Sequence, residues 1–160
     1  MNSLFPLHSC CFTGHRRISA AARAQLEAQL TDAVSALIAQ GVRRFYAGGA
    51  LGFDTLAARA VIHLRQNYPD IELILALPCK DQTRGWGDWD VAVYEGIKRA
   101  ANEVVYLSDT YTKTCMLDRN RYMVEHSDCC LCYLTRASGG TAYTVRYAEK
   151  RGLAIKNLAE

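Results

Sequence analysis

Short apolar runs alternate with longer amphipathic stretches along this chain, and turn-forming residues mark most of the joins. Residues 9–13 (SCCFT) read as a first strand. Over 20–40, Ala22, Leu26, Leu30, Ala33, Val34 and Leu37 recur at three- and four-residue steps, which predicts a helix with one apolar face. Ser19 is placed to cap its start and Gly41 to end it. Residues 42–47 form a second predicted strand, followed directly by the glycine turn GGALGFD, in which Asp54 is expected to cap a helix running to about residue 68. Pro69 and Asp70 break that helix, and 71–77 (IELILAL) reads as a buried third strand. A polar loop over 78–90 leads to a helix at 91–101 and a strand at 103–107 (EVVYL). A helix at 116–127, a strand at 129–134, a helix at 141–151 and a terminal strand at 154–158 complete the pattern.

Strands alternating with helices predict an α/β fold: a mostly parallel sheet of about six strands in a three-layer α/β/α sandwich, because crossover helices cover both faces. The length of 160 residues suits a single domain over 1–160 with one sizeable core. Open sheets of this kind bind ligands outside the carboxyl ends of their strands. Three glycine-bearing loops fall at such ends: TGHR after the first strand, GGALGFD after the second and SGGT after the fifth. A turn from strand to helix aims the leading N–H groups of the helix at one point, and glycines let an anion come close. Phosphate is the natural occupant, although any one such turn is equally explained by the need to turn tightly.

Charge and cysteine content change this picture little. A net charge of +3 is too small to imply a surface built to wrap DNA. Seven cysteines, an odd number without the spacing of a secreted disulfide framework, read as reduced thiols. Cys129 and Cys132 have the spacing of half a zinc site, but in a strand they point to opposite faces, so no metal is expected. No apolar run approaches the roughly 20 residues of a membrane span, and a cytoplasmic protein with no membrane partner is the expectation.

Taken in order, CFTGHR at 11–16, GGALGFDTLAA at 48–58, ALPCKDQTRGW at 76–86, DRNRYMVEHSD at 118–128 and GGTAY at 139–143 resemble the SLOG superfamily, and within it the YpsA-like proteins. The resemblance implies a Rossmann-like domain whose ligands are nucleotides or derivatives such as ADP-ribose and NAD. It further implies a sensor or binding protein that forms a homodimer. The same superfamily contains LOG-type phosphoribohydrolases, which cleave an N-glycosidic bond, and DprA-like proteins, which bind single-stranded DNA. The modest charge ranks nucleic acid below a small ligand.

The hydrolase comparison stops at one position. That group carries M-x-x-R-K-x-x-M-x-x-x-S-D on a helix and P-G-G-x-G-T-x-x-E in the following loop. Here Met116, Arg119, Met123, Ser127 and Asp128 match, with Asn120 in place of the lysine. The glutamate falls on Arg146 or Thr144, and neither is a carboxylate. Glycosidic cleavage passes through an oxocarbenium-like state that needs one. Arg119, Asp54 and Glu125 are the remaining catalytic candidates, with Asp54 better explained as a cap or a ribose contact.

The expected ligand contacts are Thr13, Gly14, His15 and Arg16 in the first loop and Gly48, Gly49, Gly52 and Asp54 in the second. Trp86 in the long loop offers a ring for stacking on a base or for packing. Arg119 and Asn120 on the later helix, with Gly139, Gly140 and Thr141 in the last loop, complete the set. Arg16 and Arg119 are favoured because guanidinium presents a planar, bidentate donor pair. His15 is either a phosphate donor or a structural hydrogen-bonding group.

Overall fold

The computed structural model describes residues 6–160. Strands β1 (Ser9–Gly14), β2 (Arg44–Ala47), β3 (Glu72–Leu77), β4 (Glu103–Tyr106), β5 (Cys129–Tyr133) and β6 (Ala154–Asn157) form one sheet in the order β4-β3-β2-β1-β5-β6. Every neighbouring pair is parallel. Helices α1 (Ala20–Ala39), α2 (Phe53–Arg65), α3 (Asp88–Ala100), α4 (Cys115–Glu125) and α5 (Gly140–Lys150) connect successive strands. The parallel-sheet α/β/α sandwich predicted from the alternation, which the resemblance implies to be Rossmann-like, is therefore what the chain adopts.

Alternation within the strands divides the core. Cys10 and Phe12 pack with Leu26, Leu30 and Val34 of α1, Phe53, Ala57 and Val61 of α2, and Tyr94 and Ile97 of α3. Cys11, Tyr46, Ile74 and Ala76 pack on the other face with Met123 and Val124 of α4 and Val145 and Ala148 of α5. Cys129 lies in the first layer and Cys130 and Cys132 in the second, so the C-x-x-C pair is split by the sheet as strand geometry requires. All seven cysteines are free and buried. Among the described residues no helix is long and apolar enough to cross a membrane.

Ser19 caps α1 as expected, its hydroxyl accepting from the Ala22 N–H at 3.1 Å, and Gly41 follows the helix at φ +108°. Asp54 does not cap α2. Gly52 occupies that position at φ +79°, and the helix starts one residue before Asp54, whose carboxylate instead turns back to the Ala50 N–H at 3.3 Å. α3 begins at Asp88, three residues ahead of the apolar periodicity, because Asp88 and Trp89 are exposed and lie off its apolar face.

The strand order fixes where a ligand site can open. From β1 the chain adds β2, β3 and β4 on one side, then crosses back to place β5 on the other. The loops leaving β1 and β5 diverge at that switch, and the sheet leaves a crevice between their carboxyl ends.

Candidate functional site

The switch-point crevice is a cleft of about 500 Å³ lined by Gly14, His15, Arg16 and Arg17 from the first loop, and by Thr135, Arg136, Ser138, Gly139, Gly140 and Thr141 from the last. Two of the three glycine loops thus meet. Gly139 stands at the cap position of α5 with φ +102° and no side-chain cap, so the leading N–H groups of that helix have no side chain covering them. The first turn contains no acidic residue. Three guanidinium groups and an uncapped helix start therefore face one opening, an arrangement suited to an anion.

His15 braces this cleft. It is buried, and its Nε2 accepts from the Thr135 N–H at 3.0 Å, tying the β1 loop to the β5 loop. An accepting Nε2 requires the neutral ring protonated at Nδ1. Burial, reinforced by the Arg136 guanidinium, lowers the imidazole below its ordinary pKa, which agrees with that assignment. Thr13 is also buried, at the end of β1. Its neighbour Gly14 has no room for a side chain, since an added Cβ would lie 2.6 Å from Phe53 Cβ.

The glycine turn after β2 does different work. The first N–H of α2, on Phe53, is taken by the His15 carbonyl at 3.1 Å. An added Cβ on Gly52 would lie 2.6 Å from that same carbonyl oxygen. The turn is closed by the neighbouring loop rather than left open to an anion. At Gly48 the carbonyl accepts from Arg119 Nη1 and, at 3.4 Å, from Gln82 Nε2. Arg119 comes from α4 and Asp54 from α2, so groups from both helical layers meet over the end of β2. Asn120 accepts from Arg119 Nε at 2.9 Å and helps to fix the guanidinium.

Asp54 is 6% exposed and Arg119 4%. Burial raises the Asp54 carboxyl from 3.8 to about 6, opposed by Arg119 and by the Ala50 N–H. Burial likewise lowers Arg119, with the Asp54 charge opposing. Asp54 faces a cavity of only about 30 Å³, bounded also by Gly49, Trp86 and Tyr94, which is too small to admit a nucleotide. A pH effect follows. The folded protein holds the Asp54 proton more tightly than the unfolded chain, so this group favours folding below pH 3.8 and loses that contribution as pH rises through about 6. The span is worth about 3 kcal/mol. Denaturant unfolding from pH 4 to 6.5 is expected to show stability falling with pH relative to Asp54→Asn; parallel profiles would contradict it.

The structure does not bring Glu125 to the crevice. It ends α4 at the amino edge of the sheet, where its carboxylate accepts from the Tyr147 hydroxyl at 2.5 Å. Asp128 lies at the same edge, accepting from the His8 N–H at 2.7 Å. At the positions where the hydrolase glutamate would fall, Thr144 is buried and bonds the Gly140 carbonyl, and Arg146 donates to the Ala137 carbonyl at 3.2 Å. Arg146 thereby braces the glycine loop, whereas the Thr144 bond lies within α5.

A second cleft, of about 450 Å³, adjoins the first through Arg16 and is lined by Cys79, Asp81, Gln82, Arg84, Trp86, Tyr111 and Met116. Trp86 is half-buried, its ring edge-on to Tyr94 at 5.5 Å, whereas Trp89 is exposed on α3. Arg136, Asp81 and Tyr111 escape a reading of the sequence, whereas Ser138 belongs to the SGGT loop already singled out. Arg136 has a signal, its place two residues before a serine-glycine-glycine turn; Tyr111 has none.

A sequence model of the YspA SLOG family matches residues 11–157. Among curated relatives, an uncharacterized SPbeta prophage-derived protein, YoqJ, of Bacillus subtilis (strain 168) is 29% identical over 119 residues, covering 67% of this chain and 70% of that protein. Among solved structures, DNA processing protein A from Helicobacter pylori, described for its single-stranded DNA binding mode, superposes with a TM-score of 0.67 at 20% identity. The match covers 96% of this chain and 67% of that one. DNA processing protein A (DprA) from Streptococcus pneumoniae gives 0.66 at 16% identity, covering 92% of this chain; the match spans 49% of the DprA chain.

Proposed function

The chain belongs to the YspA SLOG family, and from that premise we propose that it binds a nucleotide or nucleotide derivative of the ADP-ribose or NAD type, as a sensor or regulatory protein. The phosphate sits at the start of α5, held by its leading N–H groups and by Arg16, Arg17 and Arg136. The observation that carries this reading is the convergence of the β1 and β5 loops at the topological switch, with three arginines around an uncapped helix start.

Binding without turnover is favoured over N-glycosidic hydrolysis. The carboxylate such chemistry needs is replaced by Thr144 or Arg146, and Asp54 is sealed beneath Gly48. Single-stranded DNA is the competing ligand, on the strength of the binding mode described for the Helicobacter pylori protein whose fold this chain shares. A homodimer, implied by family resemblance, is part of the proposal.

Isothermal titration with AMP, ADP-ribose, NAD and a short single-stranded oligonucleotide, with chromatography of the same mixtures, separates these readings. The expected result is saturable binding of a mononucleotide or dinucleotide with no released base. Released base would favour the hydrolase, and binding confined to the oligonucleotide would replace the small-ligand reading.

A further inference from the structure

We infer that His15 is an acid-sensitive latch on the switch-point cleft: its neutral ring holds the loop after β5 in place, and a proton on Nε2 releases that loop and weakens anion binding. The effect on binding rests on the nucleotide reading above, whereas the latch itself rests on contacts within the chain. One wall of the cleft is fixed. The His15 carbonyl accepts from the Phe53 N–H at 3.1 Å, and Gly14 and Gly52 leave no space between the β1 loop and the start of α2. The other wall is not. Residues 135–138 are all exposed, and among the described residues two hydrogen bonds hold them: the Thr135 N–H donates to His15 Nε2 at 3.0 Å, and Arg146 donates to the Ala137 carbonyl at 3.2 Å. The first of these exists only while Nε2 carries no proton.

The groups around the ring set the direction of the effect. Tyr133 of β5 lies edge-on to it at 6.0 Å, Arg136 approaches from the β5 loop, and Arg16 and Arg17 follow it in its own loop. On α2, Phe53 is apolar and the Asp54 carboxylate turns to the Ala50 N–H and the Arg119 charge, while the first turn of α5 holds no acidic residue. No carboxylate therefore pairs with a charged imidazole, and burial and Arg136 keep the ring neutral until the solution is acid. Protonation then sets two donors, Nε2–H and the Thr135 N–H, against each other. With the β1 loop clamped to α2, the exposed loop is the part that yields, and it carries Arg136 away from Arg16 and Arg17. The fourth positive charge joins three already present, so the lost placement outweighs the added charge.

Calorimetric titration with ADP-ribose, whose pyrophosphate stays ionised throughout, reads the latch between about pH 7.5 and about pH 5. The parent is expected to bind about 10-fold more weakly at the acid end, the worth of one hydrogen bond. His15→Gln places a non-titrating acceptor at the same reach; its profile should be flat, and at neutral pH it should bind about 10-fold more tightly than His15→Leu. Asp54 titrates at about 6 and is present in every variant, so pH dependence that survives in His15→Gln belongs to Asp54. In the ligand-free parent the Thr135 amide resonance should move with pH in step with the His15 ring, and in His15→Gln it should not. Affinity that is unchanged or rises on acidification would overturn the latch, as would a His15→Gln profile that repeats the parent's or a Thr135 amide indifferent to the His15 titration. Failure of ADP-ribose to bind at either pH would overturn the nucleotide reading alone, and the Thr135 titration would then decide the latch.

Discussion

Gly48→Ala is expected to destabilise the protein by about 2–4 kcal/mol, through overpacking and through the breaking of a buried hydrogen bond. The backbone conformation is not the reason, since Gly48 is not among the glycines at positive φ. The reason is occupied space: the new methyl would lie 2.8 Å from Arg119 Cζ and 2.8 Å from Asp54 Oδ2. Arg119 cannot swing aside without leaving the Gly48 carbonyl and the Asn120 side chain, and it would then be a buried guanidinium without its partners. For a chain of this length the destabilisation corresponds to a fall in Tm of roughly 5–15 °C. Gly140→Ala is the matched control, because an added Cβ there meets nothing within 4 Å, and its stability should stay within about 0.5 kcal/mol of the parent. A Gly48→Ala protein as stable as the Gly140→Ala protein would show that Arg119 and Asp54 do not close over this turn.

The double variant Arg16→Ala/Arg136→Ala should lose ligand affinity by about 100- to 10,000-fold, since each charge-assisted hydrogen bond to phosphate is worth roughly 1.5–3 kcal/mol. Both residues are exposed and line the cleft over the start of α5, so stability should change little. The weakened binding should also carry a salt signature. Raising ionic strength screens exposed charges, so added salt should weaken nucleotide binding by the parent and have a much smaller effect on the double variant. Calorimetric titration at two salt concentrations reads both effects. An affinity that survives removal of both arginines would place the phosphate elsewhere.

The sheet is legible in the sequence because the chain obeys local rules almost everywhere: apolar runs in β1 to β5, Ser19 and Gly41 at the ends of α1, and loops where glycine and proline stand. What escapes is set by neighbours distant in sequence. The motif GGALGFD looks like an anion turn, yet the His15 carbonyl takes the Phe53 N–H and Arg119 takes the Gly48 carbonyl. Both partners arrive from other loops and helices, and no spacing within the motif points to either. Asp54 resembles a cap for the same reason: its type fits the start of a helix, and only the fold shows that α4 brings a guanidinium over it. TGHR and SGGT are both recognisable as strand-end loops, and parallel pairing of β1 with β5 is what makes them adjacent. Arg146 shows the opposite case, in which a departure from a family motif is visible in the sequence while its structural role, bracing the Ala137 carbonyl, is not.

The most direct test of a phosphate-bearing ligand at the switch-point cleft is amide NMR of the labelled protein during titration with ADP-ribose. The predicted result is a saturable shift of the Gly139, Gly140 and Thr141 N–H resonances, with the Gly48 and Gly49 amides moving little. Saturable binding that leaves the three amides at the start of α5 in place, or that shifts only the turn after β2, would contradict it.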